Sequence, residues 1–462
     1  MKKKICVALM LVAAVSISAA AQKQAPPEGS APKPFHVPTP QTYTLANGME
    51  VTLLEYGSVP KATIQAVVRA GNVNEPADKV WLADFTGNLM KEGSATRNAE
   101  QIAQEAASMG ARGLSIGVAP DVTRATLDVL GEFGPKALTL LADVLQHPAF
   151  PSSQADRLKN DLRRQLTVQK SRPQLLAQAR FAEVTYPDHP YGRFFPTMEM
   201  IDSFTTEQAR AFYDGQFGAA RTHLYVVGQF DQPAIKKAIN DAFGGWNKGP
   251  APTMDVAHAV AQRRLELIEK PGAVQSTLIV GLPVPDPSNP DFIALQVMDS
   301  ILGGSFGSRI TSNIREQKGY TYSPHSSLNT NYRTATWSED ADVTTAVTGP
   351  SLKEIFYEID RLQKDAPPAD ELKGIQAYMS GIFVLQNSTR QGIIAQLSYA
   401  ELHGLGAQYL ETYVQKVNAV TTKNVQELAK KYLNPNKMTI VIVVDKDKIA
   451  DQITAYEPGT GK

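Results

Sequence analysis

Cysteine is almost missing from this chain: its 462 residues hold one, Cys6. That residue lies inside the apolar core of an opening segment, "MKKKICVALMLVAAVSISAAA", which has the build of an export signal. Lys2, Lys3 and Lys4 supply the positive start, Cys6 to Ser16 the short apolar core, and Ala19, Ala20 and Ala21 the small residues for cleavage. Cleavage near Ala21 leaves a chain without thiols, which excludes disulfides, a cysteine nucleophile and thiolate metal sites. A charge imbalance is missing too, with 46 basic residues against 46 acidic ones. The basic footprint of a nucleic-acid binder is therefore absent. No later run approaches the roughly 20 apolar residues of a membrane span, so the expectation is an exported, periplasmic protein with no membrane span. Histidine is sparse. The residues at 36, 147, 189, 223, 258, 325 and 403 form no i, i+4 pair, so no helical two-histidine metal motif is present.

What is present reads as two similar halves. Residues 22–41 are a Pro-rich leader, "QKQAPPEGSAPKPFHVPTPQ". "YTLANGMEVTLLEY" then places two β-runs around Asn47-Gly48, a hairpin signal, and "ATIQAVVRAG" continues the sheet. Helical spacing follows at 80–92, 98–109 and 134–146, with strand-like "LSIGVAPDVTRATLDVL" between the last two. A long polar helix is predicted over 153–183, another over 205–216, and "THLYVVGQFD" closes the half. That ending recurs: "TTEQARAFYDGQFGAARTHLYVVGQFD" (205–231) aligns with "TTKNVQELAKKYLNPNKMTIVIVVDKD" (421–447). Each reads as a threonine-capped helix, a turn and a buried strand. The offset of about 215 residues signals duplicated domains rather than a short-period solenoid. The fold class expected is α+β: two duplicated α/β-sandwich domains at 42–243 and 265–458, joined by a Gly/Pro-rich linker at 244–264.

Three stretches carry a family resemblance: "YPDHPYGRFFPT" (186–197), "SILGGSFGSRITSNIREQKGYTYSPHSSL" (300–328), and the strand–hairpin–strand–helix order over 43–93. On these the chain resembles the insulinase-like (M16) metallopeptidases, in particular the short members similar to mitochondrial processing peptidase. In that family the helix after the third strand carries H-x-x-E-H, two zinc-ligating histidines around a general base. Here "HFLEH" falls on "DFTGN". Asp84 and Asn88 replace the ligands and Gly87 the base, while Arg164 or Gln165 of "LRRQL" stands at the third ligand. Asn88 is a weak neutral donor, and Gly87 has no side chain to accept a proton. Zinc hydrolysis by this chain alone is not expected, and no cofactor is assigned to it.

The resemblance also implies an Arg and a Tyr from the second domain, matched here by Arg315 in "NIREQKG" and Tyr322 in "YTYSP". A guanidinium offers fixed donors for a substrate carbonyl, and a phenol can donate to an oxyanion. Gly303 and Gly304 suggest a loop beside a substrate channel. In the family the strand matching Leu114, Ser115 and Ile116 binds peptide by edge addition. A missing zinc motif beside a retained Arg/Tyr pair implies the zinc-free subunit of a heterodimer: a zinc-bearing paralogue supplies Zn2+, this chain supplies Arg315 and Tyr322, and unfolded peptides are the substrates. The competing reading is a structural or peptide-binding core subunit with no part in hydrolysis.

Overall fold

The computed structural model describes residues 37–406 and 408–457. The export signal and residues 22–36 of the leader lie outside the described residues. The first sheet comprises β1 (Gln41–Thr44), β2 (Glu50–Glu55), β3 (Lys61–Val68), β4 (Ser115–Val118), β5 (Thr123–Leu130) and β6 (Thr222–Gly228), in the order β1-β2-β6-β3-β5-β4. The second comprises β7 (Arg264–Glu269), β8 (Gln275–Val284), β9 (His325–Asn331), β10 (Thr334–Thr344) and β11 (Thr439–Val444), in the order β7-β11-β8-β10-β9. The orders superimpose once β1 is set aside. β2 pairs with β6 in parallel, as β7 does with β11, and the other matching pairs are antiparallel. The Asn47-Gly48 signal holds, because β1 and β2 pair antiparallel around it.

The repeated ending is duplicated down to its capping chemistry. Thr205 caps the helix Thr206–Gln216 and Thr421 caps Thr422–Tyr432. In both, the side chain three residues on, Gln208 or Asn424, returns a bond to the cap's own N–H. Each helix leads into a central strand, β6 or β11, that is buried along its whole length. A continuous apolar run such as "TIVIVV" suits a strand covered on both faces.

The second cover comes from the opposite half. The helix Pro173–Thr185 lies on the second sheet, where Ala177 and Phe181 pack against Ile279, Val441 and Val443. Burying one such aromatic contributes about 2–3 kcal/mol. Reciprocally, the helix Arg390–His403 lies on the first sheet, with Arg390 reaching Asp128 of β5 and Glu401 reaching His223 of β6. The expected single helix over 153–183 is in fact two, Ala155–Ser171 and Pro173–Thr185. Pro173 cannot donate a backbone hydrogen bond and forces Arg172 into an extended conformation, ψ 115°. The break turns the second helix onto the partner sheet.

Candidate functional site

The helix Leu82–Met90 buries Leu82, Phe85, Leu89 and Met90, leaving Asp84 and Asn88 half-buried on one face, four residues apart. Its start is strained. Trp81 occupies the left-handed region, φ 74°, at a cost of order 1–3 kcal/mol for a residue other than glycine. Glu75 holds that start in place, accepting from the N–H groups of Trp81 (3.0 Å) and Ala83 (2.8 Å). Burial pushes the Glu75 carboxyl up to about 8, and the neighbouring Asp84 charge adds to the rise. Asn72 joins the two acids, donating to Glu75 at 3.1 Å and to Asp84 at 2.7 Å. Burial raises Asp84 as well.

Gly87 faces β4, the edge strand of the first sheet. A Cβ there would stand 3.1 Å from Val118 Cγ2 and 3.5 Å from Ile116 Cγ2. The missing side chain thus lets the helix lie against the edge. Ser115 on that strand is exposed and Ile116 buried, while Leu114 precedes the strand and is half-buried. Sheet edge and altered motif are therefore adjacent.

The choice at the third ligand position is resolved by geometry. Gln165 lines the same cavity as Asp84, whereas Arg164 is exposed and paired with Asp161 at 2.5 Å. Of the two residues left open by the sequence, the one on the cavity side is therefore the neutral carboxamide. The donor set of Asp84, Asn88 and Gln165 does not fit zinc: one carboxylate already engaged by Asn72, two neutral amides and no base.

The cavity holds about 490 Å³ and lies between Asp84 and the face of the second sheet. Carboxamides dominate its polar wall: Asn72, Gln165, Gln169, Gln178, Asn329 and Asn331. A carboxamide donates and accepts at once, as a peptide group does, so these six can pair with a peptide main chain beside the charged Asp84, Arg193 and Asp340 of the same lining. Trp81, Phe181, Tyr186 and Tyr191 give it apolar surface.

Neither Arg315 nor Tyr322 lines this cavity. They form a separate feature. The segment Thr311–Gln317 coils with wide i→i+5 turns, and Gly319, φ +67°, stops it by donating to Arg315 O at 3.1 Å. The Arg315 guanidinium lies 4.4 Å from the ring centre of Phe306 and 5.1 Å from that of Tyr322. Both rings face solvent, Phe306 at 74% and Tyr322 at 80% exposure. Cation–π contact with the two rings, and the Glu316 carboxylate 3.1 Å from Nε, hold the guanidinium in place. Phe306 did not stand out in the sequence, although its place in "GGSFGSR" put it near the motif.

Gly303 and Gly304 lie in the helical segment Ser300–Gly304 rather than in a loop, and Gly304 borders a cavity of the second domain. Gly303 is buried, and a Cβ there would meet Glu339 Oε2 at 2.4 Å; one on Gly304 would meet Asp299 Oδ2 at 2.5 Å. These glycines make room for two buried carboxyls that the sequence reading had not singled out. Asp299 directly follows the apolar Val297 and Met298, which was the available signal; Glu339, between Ser338 and Asp340, had none.

The comparisons agree with this architecture. Residues 51–195 match the family model for insulinase (peptidase family M16), and residues 203–379 match that for the peptidase M16 inactive domain. The chain is 23% identical over 397 residues to the uncharacterized zinc protease YmxG of Bacillus subtilis, covering 84% of this chain and 94% of that one. Among solved structures, a peptidase M16 inactive domain from Pseudomonas fluorescens superimposes with TM-score 0.80 at 26% identity, over 87% of this chain and 98% of that chain. The periplasmic protease PqqL from Escherichia coli shares the fold, with TM-score 0.76 at 16% identity, over 92% of this chain and 47% of that chain.

Proposed function

Because the chain belongs to the insulinase-like M16 peptidase family, we propose that it is the zinc-free subunit of a periplasmic M16 heterodimer, holding peptide substrate and lending Arg315 and Tyr322 to a zinc-bearing partner. One observation carries this reading. Arg315 is clamped between Phe306 and Tyr322, and Tyr322 points to solvent rather than into this chain's own cavity. A pair so presented serves a site completed by another chain. The clamped guanidinium would orient a substrate carbonyl, and the phenol would donate to the oxygen that gains charge when that carbonyl is attacked. The export signal supports the compartment. Among the described residues, no helix is long and apolar enough to cross a membrane.

The test is activity of the complex reconstituted with a zinc-bearing M16 chain. Tyr322→Phe should lower kcat about 10²-fold, the scale for losing one oxyanion donor, with zinc content of the partner unchanged. Full activity of a Tyr322→Phe/Arg315→Ala complex would overturn the assignment. The carboxamide wall beside edge strand β4 favours a second reading, a core subunit that only holds peptide. It predicts peptide binding that survives that double substitution, in an assembly with no zinc-bearing member.

A further inference from the structure

A second cavity, of about 510 Å³, lies inside the second domain between β9 and the helices Ala369–Gln386, Arg390–His403 and Tyr409–Ala419. Tyr378, Tyr399, Tyr409 and Tyr413 line it together with Phe292 and Phe383. Asp299 also lines it, at 8% exposure. Asp299 Oδ1 accepts from Ser326 Oγ (2.5 Å) and Trp337 Nε1 (2.8 Å), but no donor among the described residues reaches Oδ2. Gln296, on the same wall, has its Oε1 buried with no partner. Behind Asp299, Glu339 is fully buried, with no side-chain donor on its carboxyl and only the His325 backbone N–H facing it.

These groups share one deficiency. The unpartnered atoms on the two residues that line the cavity, Asp299 Oδ2 and Gln296 Oε1, both accept. A buried carboxylate without a counter-ion is costly, and among the described residues no lysine or arginine lines the cavity. Burial pushes Asp299 up to about 6, so it still carries charge at neutral pH. Glu339 is raised well above the usual range by burial, with Asp340 and Asp299 adding to it. Asp299, the member that lines the cavity, therefore presents its carboxylate among aromatic side chains. Aromatic faces attract a desolvated cation through the ring quadrupole.

We propose that this cavity binds an organic cation, an ammonium or guanidinium group, presented by a basic side chain of an extended peptide lying along β9. β9 is the free edge of the second sheet and matches β4 in the duplicated order. Its Ser326, Leu328 and Thr330 line this cavity, while Asn329 and Asn331 line the carboxamide cavity on the other face. A strand added there would send alternate side chains to the two sides. The peptide source rests on the peptide-holding role above; the cation site itself does not.

The probe is an extended octapeptide of Thr and Val with one central Lys, against the same peptide with Gln, followed by calorimetry and by the fluorescence of Trp337 beneath Asp299. The Lys peptide should bind at least tenfold more tightly to the wild-type chain. Asp299→Asn keeps the Oδ1 bonds and should abolish that preference; Tyr378→Ala, a half-exposed rim change, should weaken Lys binding several-fold without disturbing the fold. Equal binding of the two peptides, or an unchanged preference in folded Asp299→Asn, would overturn the proposal. Butylammonium is the second arm. If it binds as tightly as the Lys peptide, the site takes free amines and the peptide source is overturned; if it binds far more weakly, strand addition is supported. A Lys preference that persists while Arg315 and Tyr322 prove dispensable would separate the failure of one assignment from that of the other.

Discussion

Glu401 Oε2 lies 2.5 Å from Nδ1 of His223, tying the helix Arg390–His403 of the second half to the central strand of the first sheet. Tyr225 Oη donates to the same carboxylate at 2.5 Å, and Arg69 stands 3.4 Å from its other oxygen. Burial pulls the His223 imidazole down, but Glu401 and Glu50 outweigh it and its pKa is raised. Glu401 is lowered, its burial being outweighed by His223, Tyr225 and Arg69.

This clasp gives stability an optimum in pH. The raised His223 contributes fully below its ordinary 6.5, and the contribution is lost as pH rises through its folded value. The lowered Glu401 contributes above its ordinary 4.5 and is lost as pH falls through its folded value. The contribution should therefore peak between those two ordinary values. Glu401→Gln should flatten that peak and cost about 1–3 kcal/mol there, the scale for a charge-assisted bond. Thermal melts across pH 4 to 9 measure it, and an identical profile for the variant would contradict the clasp.

Phe306 should matter to catalysis by the complex without touching substrate chemistry. Phe306→Ala removes one face of the Arg315 clamp, worth about 0.5–1 kcal/mol at an exposed site. Activity of the reconstituted complex should fall a few-fold, and Phe306→Trp should restore it. The isolated chain's melting temperature should not move, since the ring is 74% exposed.

Asp84 and Glu75 repel each other as anions, and burial disfavours charge on both. Glu75's raised carboxyl means that stability falls as pH rises from its ordinary 4.5 toward about 8. Asp84→Asn keeps the shape and removes the repulsion. It should stabilise the chain by about 1 kcal/mol at pH 8, with less effect at pH 5. Denaturant unfolding at the two pH values decides it; equal effects would exclude the coupling.

The duplicated caps offer a control on the repeat. Thr205→Ala and Thr421→Ala each remove a side-chain bond to the third helical N–H, and each should cost about 1 kcal/mol. Similar losses in chemical denaturation would show that both copies use the cap alike.

Much of this was legible because it is local. The hairpin at Asn47-Gly48, the helices near 82–90, 99–108 and 134–146, and the twin capped endings follow from turn chemistry, helical spacing and capping residues a few positions apart. Pro173 was visible as well, yet its effect was not. A proline ends one helix and starts another equally well, and only the second sheet decides where the new helix goes. Gly303 was misread for a similar reason, since a glycine marks a close approach without naming what approaches.

By itself the sequence carried the expectation that the helix Leu82–Met90 lacks zinc chemistry, because side-chain identity at positions 84, 87 and 88 sets which atoms a single helical face can offer. The duplication was equally its own, written in residues that neighbour one another along the chain. Tertiary structure alone decided that Gln165 rather than Arg164 faces Asp84, that Phe306 clamps Arg315, and that Asp299 lines a cavity of aromatic rings. Those relationships join residues from separate elements, and only the packing of sheets and exchanged helices brings them within reach.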